Sequence, residues 1–311
     1  MQINFLDGEY FEDLDLSVLK SFGALRLFHT SDPIPLSERV EGADILISNG
    51  WPITRELLEL SKAKYICLSY TGYDGIDLDL CKSYGIQISN IPGYATESVA
   101  QMTMLHILNL SNRFYDYLAD TRRGDWKASE NFTIWKPNTH QLKGKTLGIL
   151  GYGDIGRRVG ELASCWGMQV LPYSLRRDSD FEGFLSSCDM ISIHLPLTPE
   201  TQKLFATREM QMMKDSAFLI CTSRGGIIDE DALLEALDKG WIAGAGLDVL
   251  AVEPPVGSPL LAHPNCYITP HAGWALQEAR QQAITCVSDN IRAYIDGNPI
   301  NLIGEWGCQY V

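Results

Sequence analysis

No apolar run among the 311 residues approaches the roughly 18 that a membrane-spanning helix needs. Basic residues are sparse as well, 25 Lys plus Arg against 39 Asp plus Glu, for a net charge of −14. They form no cluster long enough to track a phosphate backbone, so neither nucleic acid nor an anionic membrane is an expected partner. Screening limits the reach of that negative charge to about 8 Å at physiological salt, so a locally placed arginine can still receive an anionic substrate. Eight cysteines are present, Cys67, Cys81, Cys165, Cys188, Cys221, Cys266, Cys286 and Cys308, but without a CxxC pair or clustered histidines at zinc spacing. They read as reduced thiols of a cytoplasmic protein, and no metal site is expected. The opening MQINFLDGEYFEDLDL has no basic segment and carries acids too early for a signal peptide. Internal repeats and low-complexity tracts are absent too.

What is there is ordinary globular material, 45% apolar and 21% charged, in a chain longer than one core usually serves. The first hundred residues alternate strand candidates at 2–5, 24–28, 44–48, 65–69 and 86–89 with helices such as 54–60 and 77–84, the latter stopped by Gly85. That alternation implies a parallel sheet covered on both faces. Ile91-Pro92-Gly93 breaks it, and Thr96 or Ser98 can cap a long helix reaching about Arg123. Ile107, Leu110, Phe114, Tyr117 and Leu118 recur there at steps of three and four, predicting a buried stripe on a spine between two domains. Residues 124–144 are polar and irregular yet carry Trp126, Phe132, Ile134 and Trp135. Two readings stand for these aromatics: a surface for a second subunit, or side chains folded back on their own domain.

The stretch KTLGILGYGDIGRRVGELASCWGMQVLPYSLRR, residues 145–177, organises the remainder. It predicts a strand over 145–150, a turn Gly151-Tyr152-Gly153-Asp154-Ile155-Gly156, a helix over 157–166 and a second strand over 168–173. In such a βαβ unit Gly151 permits the tight turn, Gly153 lets the backbone approach a pyrophosphate, and Gly156 allows close packing of helix on strand. Asp154 and Ile155 complete the loop at a helix N-terminus whose free N–H groups suit phosphate. Strands at 190–194, 217–221, 242–247 and 267–269 follow, with helices at 207–212 and from an Asp229 cap through Asp238. A long amphipathic helix over 276–295 can lead the chain back to the first domain.

Three predicted strand ends carry side chains with chemistry: TSRGG at 222–226, DVLAVEPP at 248–255 and TPHAGW at 269–274. Ligands in open α/β sheets bind beyond the carboxyl ends of strands, so Arg224, Glu253 and His271 can converge beside a dinucleotide. Arg224 would grip a carboxylate with its planar fork. His271 would exchange the hydroxyl proton and Glu253 would orient its ring, an arrangement suited to oxidising an α-hydroxy acid or reducing an α-keto acid. Taken singly, each has a bland reading: a surface ion pair, a solvated loop acid, a structural histidine. His29, His106, His140, His194 and His263 keep that reading, with His106 a satisfied core residue on the helix stripe.

Together GYGDIG, HLPLTPET at 194–201, SRGGIIDEDAL at 223–233, DVLAVEPP and TPHAGW resemble the D-2-hydroxyacid dehydrogenase family across nearly the whole chain. TPHAGWALQEAR and NIRAYIDGNPIN are most similar to its glycerate dehydrogenase, or hydroxypyruvate reductase, branch. The resemblance implies an α/β protein of two doubly wound parallel-sheet domains. One is a flavodoxin-like substrate domain from residues 1–98 and 284–311, the other a Rossmann coenzyme domain from 99–283, and a homodimer is usual. It implies catalysis by Arg224, Glu253 and His271, and substrate carboxylate binding by the backbone at Thr71 and Gly72. It also places Thr103, Pro196, Thr222 and Asp248 along the nicotinamide, and Trp135 near a partner subunit's pocket. Cys221 departs from the asparagine of many relatives. A larger departure is Ser174, followed by Leu175, Arg176 and Arg177, where NAD-using relatives carry an acid for the ribose hydroxyls. Ser174 with Arg176 or Arg177 suits a 2′-phosphate, so NADP is expected in preference to NAD. The expected substrate is a small 2-keto or 2-hydroxy acid, first of all hydroxypyruvate, with glyoxylate beside it. Other readings are a reductase of another small 2-keto acid, or a dinucleotide-sensing regulator resembling the family's corepressors. Formate dehydrogenases resemble it less, since they usually carry Gln where Glu253 stands.

Overall fold

A computed structural model describes residues 1–304, so Cys308 and the expected end of the substrate domain lie outside the described residues. The chain divides into two compact units, one of Met1–Ala95 with the chain from Ala275 onward, the other of Thr96–Trp274. The chain thus rejoins the first unit at Ala275, ahead of the expected 284.

The first unit is built on five parallel strands, β1 (Gln2–Phe5), β2 (Ala24–Leu27), β3 (Ile45–Ser48), β4 (Tyr65–Leu68) and β5 (Gln87–Ser89), in the order β2-β1-β3-β4-β5. ILIS and YICL are buried throughout because β3 and β4 are covered on both faces, whereas the edge strand β2 alternates exposed and half-buried. Thr54 and Asp77 cap the helices Arg55–Leu60 and Leu78–Ser83 through N–H bonds from Leu57 and Leu80, as their side-chain oxygens allow. Helix Gln277–Ile295 buries Ile284, Val287 and Ile291, and its Tyr294 ring stacks on Tyr65 at 4.1 Å.

Between β1 and β3 the direction of strand progression reverses, and there Asp7 accepts from the N–H groups of Asn49 and Trp51, both at 2.7 Å. Burial lifts its carboxyl from 3.8 to about 6 against those two bonds. A raised carboxyl binds its proton more tightly in the folded than in the unfolded chain, so stability falls as pH rises from about 4 to 6. Asp7→Asn removes that slope: its melting temperature relative to the parent should climb between pH 4 and 7. A constant difference across that range contradicts the assignment.

The second unit holds β6 (Thr146–Leu150), β7 (Gln169–Tyr173), β8 (Met190–Ile193), β9 (Phe218–Cys221), β10 (Gly244–Leu247) and β11 (Cys266–Ile268), all parallel, in the order β7-β6-β8-β9-β10-β11. The order reverses between β6 and β8, which sets the crevice beyond their carboxyl ends. Helices Thr96–Asn112 and Asp154–Cys165 cover one face through Met104, Ile107, Val159 and Ala163 against Ile149 and Ile220. Phe184, Leu185, Met210 and Leu233 close the other face over Leu150, Ile191 and Leu219. Asp229 accepts from Ala232 N–H to start helix Glu230–Asp238, as its position predicts.

Two expectations fail here. The long helix does not reach Arg123: it ends at Asn112, Arg113 turns left-handed at φ 54°, and a separate helix runs Phe114–Arg123. Asn109 stabilises the break by accepting from Tyr115 N–H at 3.0 Å, and the Arg113 guanidinium pairs with Asp116. The stripe accordingly stops at Leu110, and Phe114 is 55% exposed. The helix after the glycine turn begins at Asp154, not 157. Residues 124–140 are tied locally, with Lys136 donating from its backbone to the Tyr117 hydroxyl and from Nζ to Asp120 at 2.6 Å. Phe132 and Trp135 nevertheless stay 91% and 75% exposed, so folding back does not bury them. Among the described residues no helix is long and apolar enough to cross a membrane, and the seven described cysteines are unpaired.

Candidate active site

Gly151 follows β6 at φ 94°, and a Cβ there would fall 2.6 Å from the His194 carbonyl oxygen. At Gly156 the Cβ would stand 2.2 Å from the Gly151 carbonyl oxygen. Both positions therefore admit only glycine. Gly153 is different: nothing lies within 4 Å of a Cβ built on it, so its backbone is open to a ligand. Gly153 is also the N-cap of helix Asp154–Cys165, and no side chain caps the first turn. Asp154 is exposed and pairs with Arg157, while Ile155 is half-buried. An open glycine at an uncapped helix start fits a dinucleotide pyrophosphate.

Beyond β7, Ser174 opens a turn in which its carbonyl accepts from the N–H groups of Arg177 and Asp178. Its own N–H donates to Asp178 Oδ2 at 2.8 Å, and Arg176 and Arg177 are exposed. Asp178 was not singled out from the sequence; an acid four residues after a serine at a strand end is the signal for such a turn. Across the switch point, Pro196 is exposed and its carbonyl accepts from Thr201 Oγ1 at 2.7 Å. Thr103 on helix Thr96–Asn112 and Thr222 after β9 are buried and share a hydroxyl–hydroxyl bond of 2.8 Å.

The ends of β9, β10 and β11 bring the chemical side chains together. His271 lies at φ 51°, a conformation that non-glycine residues seldom adopt, and its Nδ1 meets Glu253 Oε2 at 2.6 Å. Facing a carboxylate, Nδ1 must donate, which leaves Nε2 for a substrate. The other Glu253 oxygen accepts from Leu250 N–H at 2.7 Å. Burial raises the Glu253 carboxyl, but the bonds from His271 and Leu250, with the charge of Arg224, outweigh it and hold the group below its usual range. Arg224 therefore sits within electrostatic reach of the pair; its Nη1 also donates to Ser223 O at 2.8 Å.

Asp248, 2% exposed, spends both oxygens on the next loop: Oδ1 on Thr269 Oγ1 at 2.5 Å and Ala272 N–H, Oδ2 on Gly273 N–H at 2.7 Å. Cys221 is fully buried and its Sγ lies 3.6 Å from Ser223 Oγ. Thr71 and Gly72 belong to the first unit, in the loop after β4, where Thr71 Oγ1 donates to Ile91 O at 2.9 Å. Trp135 lies on the exposed segment described above.

Gly225, beside Arg224, was also missed. A Cβ there would stand 2.0 Å from the Leu250 carbonyl carbon, so the arginine loop and the glutamate loop touch backbone to backbone. Gly225→Ala should push them apart and lower kcat about 100-fold, as misplacements near 1 Å do. An alanine variant with parental kcat contradicts that reading.

A doubly wound sheet with an open glycine turn at its switch point defines a nucleotide-binding protein of the α/β class. The chain belongs to the D-isomer specific 2-hydroxyacid dehydrogenase family of oxidoreductases, and residues 104–273 match that family's NAD-binding domain. It is 37% identical to a glycerate dehydrogenase of Methylorubrum extorquens, over 88% of this chain and 90% of that one. With a hydroxypyruvate reductase of Blautia hydrogenotrophica it shares 33% identity over 98% of this chain and 100% of the other. Among solved structures, an acyclic imino acid reductase in complex with NADPH and D-Arg superposes with a TM-score of 0.85 at 28% identity, covering 98% of this chain and all of that one. A D-lactate dehydrogenase of Aquifex aeolicus, complexed with NAD and lactic acid, does so at 0.80 and 27%, covering 96% of each.

Proposed function

We propose that the protein reduces hydroxypyruvate to D-glycerate, and glyoxylate to glycolate, with NADPH in preference to NADH, and catalyses the reverse oxidation of D-glycerate. The observation that carries the reading is the 2.6 Å bond from His271 Nδ1 to Glu253, a carboxyl that also feels the charge of Arg224. Arg224 holds the substrate carboxylate and polarises the neighbouring carbonyl. The protonated Nε2 of His271 gives its proton to the carbonyl oxygen as that oxygen becomes a hydroxyl, and takes it back in the reverse direction. Glu253 keeps the ring turned so that Nε2 faces the substrate. Bound nicotinamide supplies or accepts the hydride. Gly151, Gly153, Asp154, Ile155 and Gly156 would hold the pyrophosphate, and Thr103, Pro196 and Thr222 the nicotinamide end. Thr71 and Gly72 offer backbone N–H groups to the substrate carboxylate. The unit carrying them serves as substrate domain, and Thr96–Trp274 as coenzyme domain. The exposed Trp135 segment supports a homodimer in which that side chain reaches a partner's pocket, and the unpaired thiols suit a cytoplasmic location.

Cofactor choice rests on Ser174, Arg176 and Arg177, a hydroxyl and two cations at the end of β7 where NAD-using relatives carry an acid, while the carboxylate of Asp178 in the same turn accepts the Ser174 N–H. Arg176→Ala should lower the NADPH-over-NADH ratio of kcat/KM about tenfold, the worth of one exposed charge-assisted contact. A parent enzyme that prefers NADH sinks this part of the proposal. Assaying a panel of 2-keto acids with both cofactors tests the substrate: hydroxypyruvate should rank first, and a low rank overturns the assignment. A catalytically silent protein that captures specific protein partners would instead favour the corepressor-like reading.

A further inference from the structure

The loop that carries His271 is held from behind by a buried polar chain that begins on another element. His106, on helix Thr96–Asn112, is 1% exposed, and its Nε2 lies 3.0 Å from Thr269 Oγ1. The Thr269 hydroxyl has one proton, and its nearest strong acceptor is Asp248 Oδ1 at 2.5 Å. Thr269 therefore donates to the carboxylate and accepts from His106, which fixes His106 as the Nε2–H tautomer. Asp248 passes the order on: its carboxylate takes the N–H groups of Ala272 and Gly273, and its carbonyl takes the N–H of His271 at 2.8 Å. Ser98, on the same helix as His106, donates to the Gly273 carbonyl. Every bond in the set converges on residues 269–273, and the residue at their centre is His271 at φ 51°.

The fold makes room for this chain. A Cβ at Gly246 would fall 2.9 Å from the His106 Cβ and 3.0 Å from its Nδ1, so a glycine in β10 is what lets the imidazole lie against the strand. Burial pushes the His106 ring down to about 4 against the pull of the Asp248 charge, so it stays neutral at working pH. The single N–H of the neutral ring then stands on Nε2, facing Thr269. A left-handed histidine is strained and persists only where its surroundings hold it.

We infer that His106 is a positioning residue for the reaction: through Thr269 and Asp248 it holds the 269–273 loop so that His271 keeps its strained backbone and its Nε2 stays aimed at the substrate. The inference rests on the reading of His271 as the proton donor. It assigns His106 no contact with substrate or cofactor.

The test is a double-mutant cycle in the full-length protein, with His106→Leu, Thr269→Val and the pair, assayed for hydroxypyruvate reduction at saturating cofactor. Cofactor Kd is measured by fluorescence titration, and the folded fraction by circular dichroism. Each single variant should lose about tenfold in kcat per folded molecule while cofactor Kd moves less than about twofold, and the pair should be no slower than the slower single. His106→Gln, which keeps an N–H donor, and Thr269→Ser, which keeps the hydroxyl, should recover most of the rate. If His106→Leu does not fold, the contrast between Thr269→Val and Thr269→Ser carries the test alone. Parental kcat in Thr269→Val, or losses that multiply in the pair, overturns the anchoring. His271→Ala is run alongside: near-normal activity there removes the catalytic reading and this inference with it. A dead His271→Ala beside fully active Thr269→Val removes the anchoring alone.

Discussion

His271→Ala should lower kcat by about 10²–10⁴-fold, the range that general acid–base groups contribute, while cofactor affinity stays within about twofold. The reason is geometric. Nδ1 is committed to Glu253 at 2.6 Å, so the ring's remaining nitrogen is the one free to exchange a proton with substrate. The glycine turn proposed to receive the dinucleotide follows β6 and makes no bond to this ring, so binding should survive its loss. Glu253→Gln should fall short of that effect yet remain severe. The carboxylate accepts on both oxygens, from His271 and from Leu250 N–H, and an amide can accept on only one. Steady-state kinetics with a parallel cofactor titration checks both variants; a near-normal kcat in His271→Ala refutes the proton-transfer role.

Arg224→Lys is the second large effect. Arginine meets a carboxylate with a planar two-pronged fork, whereas lysine offers a point charge on a flexible stem. The Arg224 side chain also donates from Nη1 to Ser223 O, and its charge helps to lower the Glu253 carboxyl. Losing one charge-assisted bond is worth about 2–3 kcal/mol, which lowers kcat/KM about 30- to 150-fold. The loss should appear largely as a raised KM if the arginine holds ground-state substrate, and in kcat to the extent that it polarises the carbonyl. A lysine variant with parental kcat/KM excludes Arg224 from carboxylate recognition.

Local chemistry was legible in the sequence wherever neighbours along the chain decide the structure. The Asp229 cap, the Gly85 stop and the strands expected at 2–5 and 65–69 rest on side chains within four residues, and those elements stand within one residue of where the pattern predicts. Gly151, Gly153 and Gly156 were readable because a tight turn, an open backbone and a close packing each ask for glycine at a fixed spacing. The break at Arg113 was not readable. Apolar spacing continues through Phe114 and Tyr117, while the turn is set by Asn109 and Asp116, polar residues that a hydrophobic period does not weigh. The chain from His106 through Thr269 to Asp248 was hidden for another reason. Its first bond joins residues 163 positions apart, and nothing in the local pattern of either segment announces the other. The acid at Asp178 lies between these cases: close to Ser174 in sequence, but overshadowed there by two arginines that carry the more obvious charge.

The most direct test of the account is the configuration of the product. Incubating the protein with hydroxypyruvate and NADPH, then separating the glycerate enantiomers, should yield D-glycerate in step with cofactor oxidation, and His271→Ala should yield almost none. L-glycerate, or no glycerate with either NADPH or NADH, contradicts it.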